Sequence, residues 1–199
     1  MDFKPTTLLF DLDGVIVNSA DVWLLSLNTA LEYFDHKPIN LDLFNEKFWG
    51  NDVNNTLELL GLPKKALDIV NKTYLKNIDR VKIFSDVELT LKYLKYFKKG
   101  IITNTPKKIA QYLLEKFNIL KYFNIIVTSD DVKYGKPNPE IIIKACKLLD
   151  VQPKEVVIIG DTISDVEAGK NLECKVIGIN INADYKVNKF SKILDILIT

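Results

Sequence analysis

The chain predicts an α/β fold: a parallel sheet covered by helices on both faces, with one long helical insertion. Three observations carry this. Short runs rich in Val and Ile recur along the 199 residues without polar alternation, the pattern of strands buried on both sides. Segments of helical periodicity separate them. One separation, from about Val17 to about Lys82, is far longer than the others and helical throughout.

Thr7-Leu8-Leu9-Phe10 reads as the first strand, Gly100-Ile101-Ile102-Thr103 as the second and Phe123 to Thr128 as the third. Val156 to Ile159 and Lys175 to Ile179 follow. Between them, Ser85-Asp86-Val87-Glu88 has the spacing of a capping box. It opens a helix with Val87, Leu91 and Leu94 on one face, ending in a basic turn at Lys98-Lys99-Gly100. Thr105-Pro106 supplies an N-cap and N1 proline before Ile109, Ala110, Leu113, Leu114 and Phe117. Asn138-Pro139-Glu140 does the same before Ile142, Ala145, Cys146 and Leu149. Strands alternating with helices imply right-handed crossovers. In the insertion, Trp23, Leu27, Ala30, Leu31 and Phe34 form one stripe, and Leu67, Val70, Tyr74, Leu75 and Ile78 another. These helices are expected to cap the carboxyl edge of the sheet. Phe190 to Ile198 suits helix or strand equally.

Composition narrows the function. Twenty-seven basic and 26 acidic groups give a net charge of +1, so there is no electrostatic case for nucleic acid. The apolar runs are too short to span a bilayer, and Met1-Asp2-Phe3-Lys4-Pro5 does not open a signal peptide; a soluble cytoplasmic protein is expected. Cys146 and Cys174 make no disulfide framework and read as small core residues. Arg80 is the one arginine, so phosphate handling would fall to lysine, backbone N–H groups and metal.

Four polar clusters follow four of the strands: Asp11-Leu12-Asp13-Gly14, Thr103-Asn104-Thr105, Gly135-Lys136-Pro137-Asn138-Pro139 and Gly160-Asp161-Thr162-Ile163-Ser164-Asp165. With 17 aspartates in the chain, a lone D-x-D is weak evidence. Ligands of open α/β sheets bind outside the carboxyl ends of the strands, however, so the topology gathers all four at one edge. Phosphoryl transfer needs an in-line nucleophile, charge neutralisation and an acid for the leaving group. Asp11 is the candidate nucleophile, through an aspartyl-phosphate. A carboxylate attacks an anionic phosphate only if a cation screens the repulsion, and Mg²⁺ suits carboxylates, water and phosphate. Asp11, Asp161 and the main-chain carbonyl of Asp13 are the expected metal ligands. Asp165, one turn beyond Asp161, would hold metal-bound water or serve as a helix N-terminal acid. Asp13 is the expected general acid and base. The Thr103 hydroxyl and Asn104 N–H would bind phosphate, unless the cluster is simply a helix cap. Lys136, framed by Gly135 and Pro137, would place its ammonium on the phosphate and on Asp11.

The order Asp-x-Asp-Gly, Thr, Lys, Gly-Asp-x-x-x-Asp resembles the haloacid dehalogenase superfamily. The helical insertion after the first motif resembles its first cap class, which includes phosphoglycolate phosphatases and β-phosphoglucomutases. The resemblance implies a Rossmann-like core of residues 1–16 and 83–199, a mobile cap of residues 17–82, Mg²⁺, and a small phosphorylated metabolite as partner, in a monomer or homodimer. The founding dehalogenases lack the aspartate that is Asp13 here, which speaks against dehalogenation. In Phe48-Trp49-Gly50-Asn51-Asp52, which looks like the family's recognition loop, Trp49, Asn51 and Asp52 are candidate substrate contacts, and Trp49 equally a packing residue. The expected activity is phosphomonoester hydrolysis. A phosphomutase using the same Asp11 is the alternative, and a receiver-like phosphoacceptor the more distant one, because receivers carry no such insertion.

Overall fold

The computed structural model describes residues 5–198. In chain order these form β1 (Thr7–Phe10), β2 (Val17–Asn18), α1 (Ala20–Tyr33), α2 (Leu41–Lys47), α3 (Val53–Leu59), α4 (Ala66–Lys76), β3 (Lys82–Ile83), α5 (Val87–Tyr93), β4 (Lys98–Thr103), α6 (Lys107–Lys116), β5 (Ile125–Thr128), α7 (Glu140–Leu149), β6 (Val156–Gly160), α8 (Ile163–Lys170), β7 (Lys175–Ile179), β8 (Tyr185–Val187) and α9 (Leu194–Leu197). The main sheet has the order β5-β4-β1-β6-β7-β8, and its strand pairs are parallel. From β1 the chain builds outward through β4 and β5, then returns to the other side of β1 at β6. That reversal leaves a crevice at the carboxyl ends of β1 and β6.

The strands are buried because helices cover both faces. Leu8 and Phe10 of β1 point into one core with Ile101, Ile159 and the apolar sides of α5 and α6. Leu9 points into the other, with Ile102, Ile158 and Ile141, Ile142 and Val166 of α7 and α8. The first core continues without a break into α1 to α4, through Trp23, Leu27, Val70 and Tyr74. Trp23 and Tyr74 lock α1 to α4, their ring centroids 4.4 Å apart. Cys146 and Cys174 are free and buried, as expected. No helix among the described residues is long and apolar enough to cross a membrane.

Several local expectations are corrected. The helical stretch is bracketed by a short antiparallel ribbon, β2 with β3, too brief for periodicity to reveal. Ser85 forms no capping box: Asp86 is the N-cap, without a side-chain cap bond, and its carboxylate instead accepts from the Ser191 N–H at 2.8 Å. Lys98 and Lys99 belong to β4 rather than to the end of α5. Lys99 still satisfies that helix end, its buried Nζ donating to the Leu94 carbonyl at 2.8 Å. Pro139, not Asn138, holds the N-cap position of α7; the Asn138 Oδ1 accepts from the Glu140 N–H at 2.9 Å from one residue further out. The third strand begins at Ile125 rather than Phe123. The C-terminal stretch adds β8, a 3₁₀ turn at Phe190–Ile193 and α9, so Phe190 to Leu197 is helical.

Candidate active site

Asp11 is the first residue beyond β1. Its N–H donates to the Ile159 carbonyl of β6 at 2.9 Å, which places it in the crevice where the strand order reverses. The chain then turns sharply: Ile16 and Val17 both donate to the Leu12 carbonyl, and the Gly14 N–H to the Val17 carbonyl at 2.8 Å. Gly14 has φ +77°, and a Cβ there would stand 2.0 Å from Asp161 Oδ2. Only glycine meets both demands.

Lys136 reaches the crevice from the loop after β5. The Asn104 side chain grips its main chain from both sides: Oδ1 accepts from the Lys136 N–H at 2.8 Å and Nδ2 donates to the Lys136 carbonyl at 2.9 Å. The ammonium, 2% exposed, sits 2.8 Å from Asp11 Oδ1 and 2.7 Å from Asp165 Oδ1. Burial works against its charge, but the two carboxylates outweigh burial and raise the pKa above the usual lysine value. Burial pushes the Asp11 carboxyl up to about 7. Lys136 pulls it down, while Asp165 and Asp13 add to the rise.

Asp161 follows β6 directly, and Asp165 lies in the first turn of α8. Asp165 does two jobs at once. Its Oδ2 accepts from the Thr162 N–H at 3.2 Å and hydroxyl at 2.7 Å, closing a capping box, while its Oδ1 holds Lys136. The helix-end reading of Asp165 therefore holds, and its pairing with Lys136 is a contact that sequence reasoning had not assigned. Asp161 Oδ2 accepts from Trp49 Nε1 at 2.9 Å, and its Oδ1 is buried without a partner. Burial, then the charges of Asp11 and Asp165, raise its pKa well above the carboxylate range.

One oxygen from each of Asp11, Asp161 and Asp165 lies within 4.8 Å of the others. Ionised, these three carboxylates against one ammonium leave two negative charges. A buried orphan oxygen, crowded carboxylates and a double negative charge together fit a hard divalent cation. The Asp13 carboxylate stands outside this cluster, leaving its main-chain carbonyl as the group it could offer.

Three donors hold the Asp13 side chain. The Ser19 hydroxyl and Trp23 Nε1 reach Oδ1, the latter at 3.1 Å, and the Thr105 hydroxyl reaches Oδ2. These were the functional contacts that sequence reasoning missed. Thr105 was expected to cap α6, but Pro106 holds the N-cap position and the hydroxyl serves Asp13. Thr103 ends β4, and its Oγ1 accepts from the Thr105 N–H at 3.1 Å. The Asn104 side chain is spent on Lys136 and on the Gly50 carbonyl, 2.8 Å away, so its main-chain N–H is what it could present to an anion.

Above this edge lies a cavity of about 40 Å³, walled by Asp11, Asp13, Thr103, Asn104 and Thr105 below and by α1, α2, α3 and the loop at Trp49 above. Trp49 and Asn51 both line it, although Asn51 Nδ2 is occupied by the Lys47 carbonyl at 2.8 Å. Asp52 does not line it; its carboxylate caps α3 through the Asn54 N–H.

Residues 8–179 match the model of the haloacid dehalogenase-like hydrolases; the chain belongs to that family. It is 30% identical to a phosphoglycolate phosphatase of Aquifex aeolicus, over 84% of this chain and 81% of the relative. It is 26% identical to the pyrophosphatase PpaX of Bacillus mycoides, over 98% and 97%. Among solved structures, a β-phosphoglucomutase of Clostridium difficile superposes with a TM-score of 0.84 at 22% identity, over 95% of this chain and 93% of that one; that likeness is one of fold.

Proposed function

We propose that the protein is a Mg²⁺-dependent phosphatase that hydrolyses small phosphorylated metabolites through an aspartyl-phosphate on Asp11, with residues 17–82 acting as a cap over the site. The supporting observation is the pairing of a buried Asp11 with Lys136 at 2.8 Å, at the floor of a cavity that also bears Asp13.

Lys136 and the Leu12 N–H hold Asp11 Oδ1, so Oδ2 is the atom offered to phosphorus. Oδ2 attacks in line, the ester P–O bond breaks, and Asp13 gives its proton to the departing alkoxide. Asp13 then takes a proton from water as that water attacks the aspartyl-phosphate. Inorganic phosphate leaves and the Asp11 carboxylate is restored. Ser19, Trp23 and Thr105 aim Asp13 for both transfers. Lys136 and the Thr103 hydroxyl, with the Asn104 N–H, neutralise and orient the phosphoryl oxygens. Asp11, Asp161 and the Asp13 carbonyl would hold a Mg²⁺ ion, which would supply screening between nucleophile and phosphate. Asp165 maintains Lys136 in place. The relatives named for hydrolysis favour water over a sugar as the acceptor.

Asp11→Asn tests this. It preserves shape but removes the nucleophile, so hydrolysis of p-nitrophenyl phosphate should fall by several orders of magnitude. Turnover equal to that of the native protein would overturn the assignment.

A further inference from the structure

The upper wall of the cavity carries information about the substrate beyond its phosphate. Leu27, Phe44, Phe48, Trp49 and Val53 form it, and no Lys, Arg or His is among the described residues lining the cavity. Its polar members are already engaged. Asn51 Nδ2 donates to the Lys47 carbonyl, the Thr56 hydroxyl to the Asp52 carbonyl at 3.1 Å, and the Trp49 indole to Asp161. The site's one ammonium, Lys136, is not part of the wall; it lies 2.8 Å from Asp11 and 2.7 Å from Asp165, at the phosphoryl end of the site.

We infer that this site selects phosphomonoesters whose alcohol part is small, uncharged and apolar, and discriminates against substrates with a second anionic group next to the phosphate. The inference rests on the phosphatase reading and names its substrate class. A second carboxylate or phosphate would be pressed against Phe44, Phe48 and Trp49, stripped of water and facing no cation. Burying an unpaired charge in such surroundings is strongly unfavourable. An alkyl or aryl group instead exchanges water for aromatic and aliphatic contact. The small volume, room for a few water molecules, sets the scale of what the closed site accommodates. The wall thus departs from what pyrophosphate or phosphoglycolate, the compounds in the relatives' names, would require.

The test is kcat/KM, at one Mg²⁺ concentration, for propyl phosphate, phenyl phosphate, 2-phosphoglycolate and pyrophosphate. The two esters of uncharged alcohols should exceed the two substrates with a second anionic group by about tenfold or more. Asn51→Lys, which puts an ammonium on the wall, should raise the ratio of phosphoglycolate to propyl phosphate turnover. Pyrophosphate or phosphoglycolate turned over as well as the esters of uncharged alcohols would overturn the inference and leave the phosphatase reading standing. An unchanged ratio in Asn51→Lys would overturn the assignment of selectivity to this wall. If none of the four, nor p-nitrophenyl phosphate, were hydrolysed, the phosphatase reading and this inference would fall together.

Discussion

Trp49 Nε1 donates a hydrogen bond to Asp161 Oδ2 at 2.9 Å, joining the loop between α2 and α3 to the carboxyl end of β6. The bond leaves the other oxygen of Asp161 buried and unpartnered. The indole therefore fixes one oxygen of the carboxylate and leaves the other free for a ligand. Groups of this kind, one bond behind a metal ligand, commonly contribute 10–100-fold to affinity.

Trp49→Phe keeps the ring and deletes the donor. Calorimetric titration with Mg²⁺ should show affinity weakened by about 10–100-fold. Native affinity in the variant would mean that the ring only packs.

The metal-free protein should lose stability as pH rises from about 4 to about 7. Folding raises the Asp11 pKa from 3.8 to about 7, so in that window the folded state binds more protons than the unfolded state. Stability then falls with increasing pH. Asp161 is shifted in the same direction. Thermal melts in the presence of a chelator should show the decline, and Asp11→Asn should make it shallower. A melting temperature that climbs through the window would contradict the burial account.

Lys136→Met removes the charge that two buried carboxylates face, at 2.8 and 2.7 Å. Breaking one side of a buried ion pair typically costs about 3–5 kcal/mol. Urea unfolding of the metal-free variant should show a loss of that order, together with loss of turnover. A change below about 1 kcal/mol would place the ammonium in a more hydrated setting than its burial indicates.

Gly14→Ala drives a Cβ to within 2.0 Å of Asp161 Oδ2, at φ +77°. The backbone penalty alone is about 1–2 kcal/mol, but displacement of the carboxylate should dominate. Mg²⁺ affinity should drop about tenfold or more while the circular dichroism spectrum stays native. Unaltered metal binding would show that the loop yields instead of the aspartate.

The sheet was legible because each buried strand is a local apolar run and four of them end in polar clusters. Strand order then brings Asp11, Lys136, Asp161 and Asp165 together with no further information needed. What escaped was the destination of side chains that serve two patterns equally well. Thr105 before Pro106 has the form of a helix cap, and only the proximity of Asp13 in space recruits its hydroxyl. Trp23 fits an apolar stripe, which says nothing about where its indole nitrogen points. Ser85 lost its cap because Asp86 is drawn to Ser191, 105 residues away in the chain. In each case a tertiary partner outcompeted a local one. The β2–β3 ribbon and β8 were missed for another reason: two or three residues are too few to establish a period.

Asp165 and Asp161 differ in what would preserve them if the reaction were no longer under selection. Asp165 closes the capping box that opens α8 and anchors a buried lysine, so a catalytically silent descendant would keep it for folding alone. Asp161 Oδ1 satisfies nothing within the protein, and discarding that carboxylate would relieve an electrostatic burden. Among distant descendants of this chain, survival of an aspartate at the second position is therefore the better marker of a working enzyme.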